Sequence, residues 1–281
     1  MEEIFQHFRP EEKVFIEQVI GWKQEVEDFY APKLTDFLDP RERLIVQSII
    51  GKNGDIMVAE SGRFSEAERK RLIIYPNYYQ PSDEDFYITI CEMTFPSKFI
   101  QLKHPDVLGA IISLGIDRSK FGDIRLSDST IQFAIANEIL DYVRVNLDSV
   151  GKAKVQVKEL QQNSPLLPPE SKWIEQVLTT SSMRLDTVLS SVYPISRQKA
   201  ALLINAGKVK VNFVVREQVS FELHELDLLS IRGYGRIVIR TPLVKWQNHF
   251  HRDLFQYAQF SDAGARQNIS DLHHSHLLIV I

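Results

Sequence analysis

Between Arg184 and Asn212 the chain sets its stops so closely that only short elements fit. Arg184-Leu185-Asp186-Thr187-Val188-Leu189 places Leu185, Val188 and Leu189 on one side of a short helix, and Tyr193-Pro194-Ile195 breaks it. Ser196 has the side chain of an N-cap, and a second helix runs from there to Gly207, a C-terminal glycine. Ala200 and Ala201 are small enough to let the two helices approach closely. Lys208-Val209-Lys210-Val211-Asn212 then alternates basic with apolar, the pattern of a half-buried strand with its charges outward. Further strands follow at Val214-Val215, Val219–Leu223 and Leu228–Ile239.

Charge sets this segment apart. Residues 1–181 hold 21 Lys and Arg against 29 Asp and Glu, whereas residues 182–240 hold nine against five. The overall charge of −4 hides that reversal. A basic segment on an acidic protein points to a local anionic partner, and a phosphate backbone is the commonest one. Arg184 begins the first helix, and Arg197 and Lys199 lie in the first turn of the second. Cations there oppose the helix dipole, so an anion reached by both side chain and backbone N–H groups explains them better. Lys208 and Lys210 extend the charge along the strand, and the expectation is one shared phosphate track.

Upstream, the apolar stripe from Val14 to Phe29 is helical and stops before Pro32. Asp39-Pro40 opens a second helix ending at Gly51, and Ser65–Arg71, with Glu66 and Glu68 in its first turn, reads as a third. Residues 1–80 are expected to be a mostly helical domain. Residues 81–162 read strand (Asp85–Thr94), helix (His104–Leu114), strands Asp123–Leu126 and Thr130–Phe133, helix (Ala134–Val145) and strand (Ala153–Leu160). That order is βαββαβ, the ferredoxin-like or RNA-recognition-motif topology. Its presumed central strands offer Ile124, Leu126, Ile131 and Phe133 without paired exposed aromatics, a scaffold and not a base-stacking platform. A polar, proline-rich linker occupies 163–180, the basic module 181–240, and an atypical tail 241–281. The fold class is α+β.

The basic module resembles the S-four RNA-binding domain, named for a small-subunit ribosomal protein. The motif Arg-Leu-Asp-x-x-Leu stands at Arg184–Leu189, Ser-Arg-x-x-Ala at Ser196–Ala200, and Ile-x-x-Gly-x-Val-x-Val-Asn at Ile204–Asn212, in order and spacing. The resemblance implies that Arg184 and Arg197 touch RNA while Asp186 orders the helix pair. Lys199, Lys208, Lys210 and Asn212 join them as candidate RNA contacts. Arg232 and Arg236 flank a bend at Gly233 and Gly235, which also imitates an RNA-recognition octapeptide but lacks its later aromatics.

Further blocks extend the likeness: the Phe5–Phe15 opening, Lys33–Glu42, His104–Ala110, Leu114–Arg118 and Gly122-Asp123-Ile124 look like the YlmH family. Those are cytoplasmic proteins of Gram-positive bacteria and relatives, encoded near cell-division genes. The resemblance implies a non-enzymatic, ribosome-associated factor that binds rRNA or tRNA on the large subunit. Similar S-four proteins serve ribosome-associated quality control, holding transfer RNA on a stalled large subunit. Family members usually end in a short Lys-rich hairpin. Here Thr241–Ile281 departs from that pattern and holds five of the eight histidines, an abrupt change of composition consistent with a shifted reading frame or a replaced end.

Other classes are weighed against this. The longest nearly unbroken apolar run, Val107–Ile116, has ten residues, about half of a bilayer span. The N-terminus is acidic before it is apolar, the wrong order for a signal peptide. A cytoplasmic monomer is expected, without membrane contact. Cys91 alone forms no disulfide or Cys-rich zinc site and reads as a core residue, and His249, His251, His273, His274 and His276 lack a fold to make a metal site. No cofactor or metal is expected. P-loop, nucleophile-elbow and zinc-protease motifs are missing from the sequence. The alternatives are a protein–protein adaptor in cell division, suggested by the acidic first two domains, and an RNA-modifying enzyme.

Overall fold

A computed structural model describes residues 8–51, 54–161, 164–169, 173–240 and 276–280. The chain divides into two compact units, Met1–Glu170 and Ser171–Ile281.

The first unit opens with helix α1 (Lys13–Phe29), strand β1 (Lys33–Leu38) and helix α2 (Pro40–Ile50). Asp39 accepts the Glu42 N–H at 2.9 Å and Glu42 accepts the Asp39 N–H at 2.7 Å, so α2 starts in a reciprocal capping box with Pro40 at its first position. Its stop is Gly51, at φ +81°. Strands β2 (Ile56–Ser61) and β3 (Lys70–Pro76) complete an antiparallel sheet in the order β1-β3-β2. Ile16, Val19 and Val26 of α1 and Ile45 and Val46 of α2 are buried with Leu72 and Ile74 of β3. Both helices lie where the sequence places them, and the sheet is additional. The third helix expected at Ser65–Arg71 is a turn leading into β3. Asp123, far along the chain, accepts the backbone N–H groups of Glu68 and Arg69 at 2.8 and 2.9 Å, and Glu66 sits at φ +53°. A distant carboxylate thus takes the donors that a local helix would have used.

Strand β4 (Ile88–Thr94), helix α3 (His104–Ser113), strands β5 (Phe121–Leu126) and β6 (Thr130–Ala136), helix α4 (Leu140–Asn146), a small hairpin of β7 (Ser149–Val150) and β8 (Ala153–Lys154), and strand β9 (Gln156–Glu159) follow. The sheet runs β5-β6-β4-β9 with antiparallel neighbours, the expected βαββαβ arrangement. Ala134–Ala136, read from sequence as helix, extends β6. The central strands are β4 and β6, whereas β5, with Ile124 and Leu126, is an edge.

Alternation divides this sheet into two buried faces. Cys91, Met93, Ile131, Phe133 and Ile135 pack with Val107, Ile111 and Val143 of the two helices. Burial pushes the Cys91 thiol up to about 12, as befits a core residue. The opposite face, with Ile90, Ala134 and Ala136, is covered by Phe37, Phe64 and Ala67 from the N-terminal part. Packing there is tight: a Cβ on Gly122 would meet the Phe37 ring at 2.8 Å and Ala134 at 2.9 Å. The buried Gln132 side chain donates to the Pro165 carbonyl at 3.1 Å and accepts the Leu167 N–H at 2.8 Å. RNA-recognition motifs stack bases on this sheet surface; here protein occupies it.

The second unit contains helices α5 (Leu185–Val192) and α6 (Arg197–Asn205) and strands β10 (Trp173–Val177), β11 (Val209–Val211), β12 (Val214–Val215), β13 (Leu228–Ile231), β14 (Gly235–Arg240) and β15 (His276–Val280). The strand order is β10-β15-β14-β13-β11-β12. Strand β10 falls inside the segment read as a linker, and β15 pairs in parallel with both β10 and β14. The tail between them, with His249, His251, His273 and His274, lies outside the described residues. Leu185, Val188 and Leu189 of α5 and Ala200 and Ile204 of α6 share a core with Val209, Val211, Leu229, Ile231, Ile237 and Ile239. The helices therefore cover one sheet face.

Candidate nucleic-acid interface

Ser196 caps α6 by accepting the Lys199 N–H at 3.2 Å, and Gly207 closes it at φ +64°. That stop, with the break at Tyr193, fixes where the helix starts fall. Tyr193 is buried beneath the bend, its ring 5.0 Å from that of Tyr234 and its hydroxyl donating to the Tyr234 carbonyl at 3.3 Å. Tyr234 is engaged in the fold and is not a free stacking platform.

Asp186, 4% exposed, lies in the first turn of α5 and holds both neighbouring arginines. Arg184 Nε donates to one carboxylate oxygen at 3.1 Å. Arg197 donates to the other from Nη2 at 2.7 Å and from Nε at 3.2 Å. The arginine side chains remain 45% and 57% exposed. Burial alone would raise the Asp186 pKa; the hydrogen bonds and charges of the two arginines outweigh it and hold the carboxyl below its usual range. One buried carboxylate thus orients two half-exposed guanidiniums, the planar groups best suited to phosphate oxygens. With exposed Lys199 the cluster carries a net charge of about +2, counting three cations and one carboxylate.

The backbone contributes less than expected. The first amides of α5 are spent inside the unit, Leu185 N–H on the Phe221 carbonyl at 2.8 Å and Asp186 N–H on that of Val219 at 3.3 Å. Side chains, and not those helix-start donors, are what an anion would meet at α5.

The other candidates form a second group. Lys210 pairs with Ser230, which pairs with Arg236, placing the three in a row across β11, β13 and β14. Since Val209, Val211, Leu229 and Ile237 face the helices, this row occupies the opposite sheet face. The Arg232 N–H donates to the Lys208 carbonyl at 3.0 Å, which brings those two exposed residues together at one end of the sheet. The single track expected from sequence is therefore two clusters, one at the helix starts and one across the outer sheet face. Asn212 belongs to neither. At φ +49°, its side chain donates to Asp227 at 2.8 Å and accepts the Leu228 N–H at 2.9 Å, so its amide is committed to the turn. Arg240, overlooked in the sequence reading, shares the face of Arg236 by strand alternation and is exposed; the even, four-residue spacing was the available signal. Among the described residues no group of His, Cys, Asp and Glu could hold a metal ion, and no helix is long and apolar enough to cross a membrane.

Two short helices whose starts meet at one carboxylate, backed by a sheet with a basic outer face, define an S4-type RNA-binding module, and the S4 domain profile matches residues 183–229. Two further profiles match upstream, "YlmH, N-terminal" over 11–79 and "Putative RNA-binding domain in YlmH" over 81–164. The chain belongs to the YlmH family. It is 39% identical over 257 residues to "Ribosome-associated protein quality control protein P2" of Bacillus subtilis (strain 168), covering 90% of this chain and 99% of that relative. A solved structure, "Cell division protein ylmH from Streptococcus pneumoniae", is 33% identical, covers 55% of this chain and 94% of its own, and has a TM-score of 0.48.

Proposed function

We propose that this protein is a non-enzymatic, cytoplasmic RNA-binding factor that acts as a monomer on the large ribosomal subunit in ribosome-associated quality control. Its second unit grips phosphates of structured rRNA or tRNA. The single observation that carries this reading is the Asp186 fork, which aims two half-exposed arginines outward from neighbouring helix starts. The B. subtilis relative, named for ribosome-associated quality control, supports the cellular setting.

Arg184→Ala combined with Arg197→Ala tests the assignment. Each phosphate that is no longer neutralised should make the slope of log K against log[salt] shallower by about 0.9 on duplex-like RNA. Loss of cosedimentation with large subunits is expected; unchanged sedimentation rejects the fork as the RNA contact. Ribonuclease treatment before pull-down should release the protein, since the grip of a protein adaptor would persist.

A further inference from the structure

The sheet surface on which an RNA-recognition topology stacks bases is buried in the first unit, beneath Phe37, Phe64 and Ala67 and the 165–167 segment. Any RNA contact by this part of the chain must use another surface. An open cleft of about 700 Å³ lies elsewhere in the same unit, between the segment after β4, the start of α3 and the β7–β8 hairpin. Phe99 lines it and is 87% exposed, the most exposed of the large apolar side chains in the described residues. A turn closed by the Phe99 N–H on the Pro96 carbonyl, at 3.0 Å, carries that ring. Gly109 and Gly151 contribute wall without side chains, and a Cβ at either would meet nothing within 4 Å.

Charge singles out the place. The acidic first unit has no Asp or Glu from Pro96 to His104 or from Ser149 to Val155, while those two stretches carry Lys98, Lys103, Lys152 and Lys154, all exposed. Lys152 itself lines the cleft. One acid, Asp106, also lines the cleft, and its carboxylate accepts the Lys103 N–H at 3.0 Å; Asp148, nearby, accepts from Ser149 Oγ at 2.9 Å with Lys154 at 3.6 Å. An exposed aromatic ring with lysines around an open apolar wall is the combination that holds unpaired nucleotides: the ring stacks on a base face and the ammonium groups meet the phosphates on either side.

We propose that this cleft binds a single-stranded RNA segment, with one unstacked base on Phe99 and its flanking phosphates on Lys98, Lys103 and Lys152. The site is separate from the Asp186 fork and selects a different form of RNA, unpaired and not duplex.

The test uses the full chain, a fluorescein-labelled single-stranded oligouridylate and, beside it, a blunt-ended, fully paired RNA duplex. Phe99→Ala should weaken oligouridylate binding about fivefold to a hundredfold, the range for removing one base–aromatic stack, and Phe99→Tyr should restore it. Duplex binding should be unchanged by Phe99→Ala and lowered by Arg184→Ala with Arg197→Ala, so either site can fail alone. Phe99 lies outside the core, so the thermal melt of Phe99→Ala should match that of the parent. Ultraviolet crosslinking to the oligouridylate should mark the peptide containing Phe99. Unchanged oligouridylate affinity in Phe99→Ala overturns the proposal. So does a loss confined to Lys98→Ala, Lys103→Ala or Lys152→Ala, which marks a solvated basic face, or a Phe99 dependence seen with anionic lipid vesicles and not with RNA.

Discussion

Replacing Asp186 by Asn distinguishes a carboxylate that positions arginines from one that only cancels their charge. Asn keeps the shape and one acceptor oxygen, but presents an NH₂ to one of the two guanidiniums now bonded at 3.1 and 2.7 Å. Hydrogen bonds to charged groups contribute about 1.5–3 kcal/mol when well buried. Here the arginine ends are half exposed, so each link falls toward the surface ion-pair value of about 0–1 kcal/mol. With the buried amide NH₂ left facing a guanidinium donor and without an acceptor, an overall stability loss of about 1–2 kcal/mol is expected. RNA affinity feels two opposed effects. Removing one negative charge about 7 Å from a phosphate favours binding by about 0.6 kcal/mol at the dielectric of water, and by less in salt. Freeing two arginines adds an ordering cost on binding of about 0.5–1.5 kcal/mol each. The ordering cost wins, and Kd should rise about threefold to thirtyfold even though the variant is more positive. Fluorescence anisotropy with a structured RNA at two salt concentrations reads this, and urea unfolding reads the stability. An Asn variant that binds as tightly as the parent, or more tightly, would falsify the positioning role.

Two further outcomes concern the first unit. Burial, with Asp39 beside it, raises the Glu42 carboxyl to about 7, so the folded state holds that proton more tightly than the unfolded chain at 4.5. Its stabilising contribution is full below 4.5 and lost as pH rises through about 7. Glu42→Gln preserves the acceptor of the capping box, and should be near neutral at pH 5 but stabilising by roughly 1–2 kcal/mol at pH 8; equal effects at both pH values in thermal melts would refute it. Gly122→Ala places a methyl at 2.8 Å from the Phe37 ring and 2.9 Å from Ala134. It should cost about 1–3 kcal/mol by overpacking, and a melting temperature equal to the parent's would mean that the two sheets do not press together there.

What the sequence discloses depends on how local the deciding interaction is. Ser196, Gly207 and the Asp39-Pro40 helix start act within four residues of the elements they bound, and all stand where the letters place them. Strand β3 escapes a pattern reading because Leu72, Ile73 and Ile74 are all buried, so no alternation marks it. Ser65–Arg71 misleads for the opposite reason. Its local signals favour a helix, but the decision lies with Asp123, and Arg71 is buried with its Nε on the Thr35 carbonyl at 2.8 Å. At the candidate interface, motif spacing finds Arg184, Asp186 and Arg197; that Asp186 orders the helix pair comes from the resemblance, because its contact with Arg197 joins two helices and is tertiary. Alternation alone tells that Lys208 and Lys210 point away from Val209; which sheet face the helices cover is a tertiary fact. Asn212 keeps its motif position through its turn geometry, which residue type alone does not separate from a ligand contact.

The covered sheet has a practical consequence for taking the molecule apart. A fragment cut to residues 81–164 would bare Ile90, Ala134 and Ala136 as a greasy surface, and Gln132 would lose its hold on Leu167. Such a piece invites clumping, and its behaviour in a binding assay would report on that denuded wall. Residues before and after the cut are what keep it presentable to water.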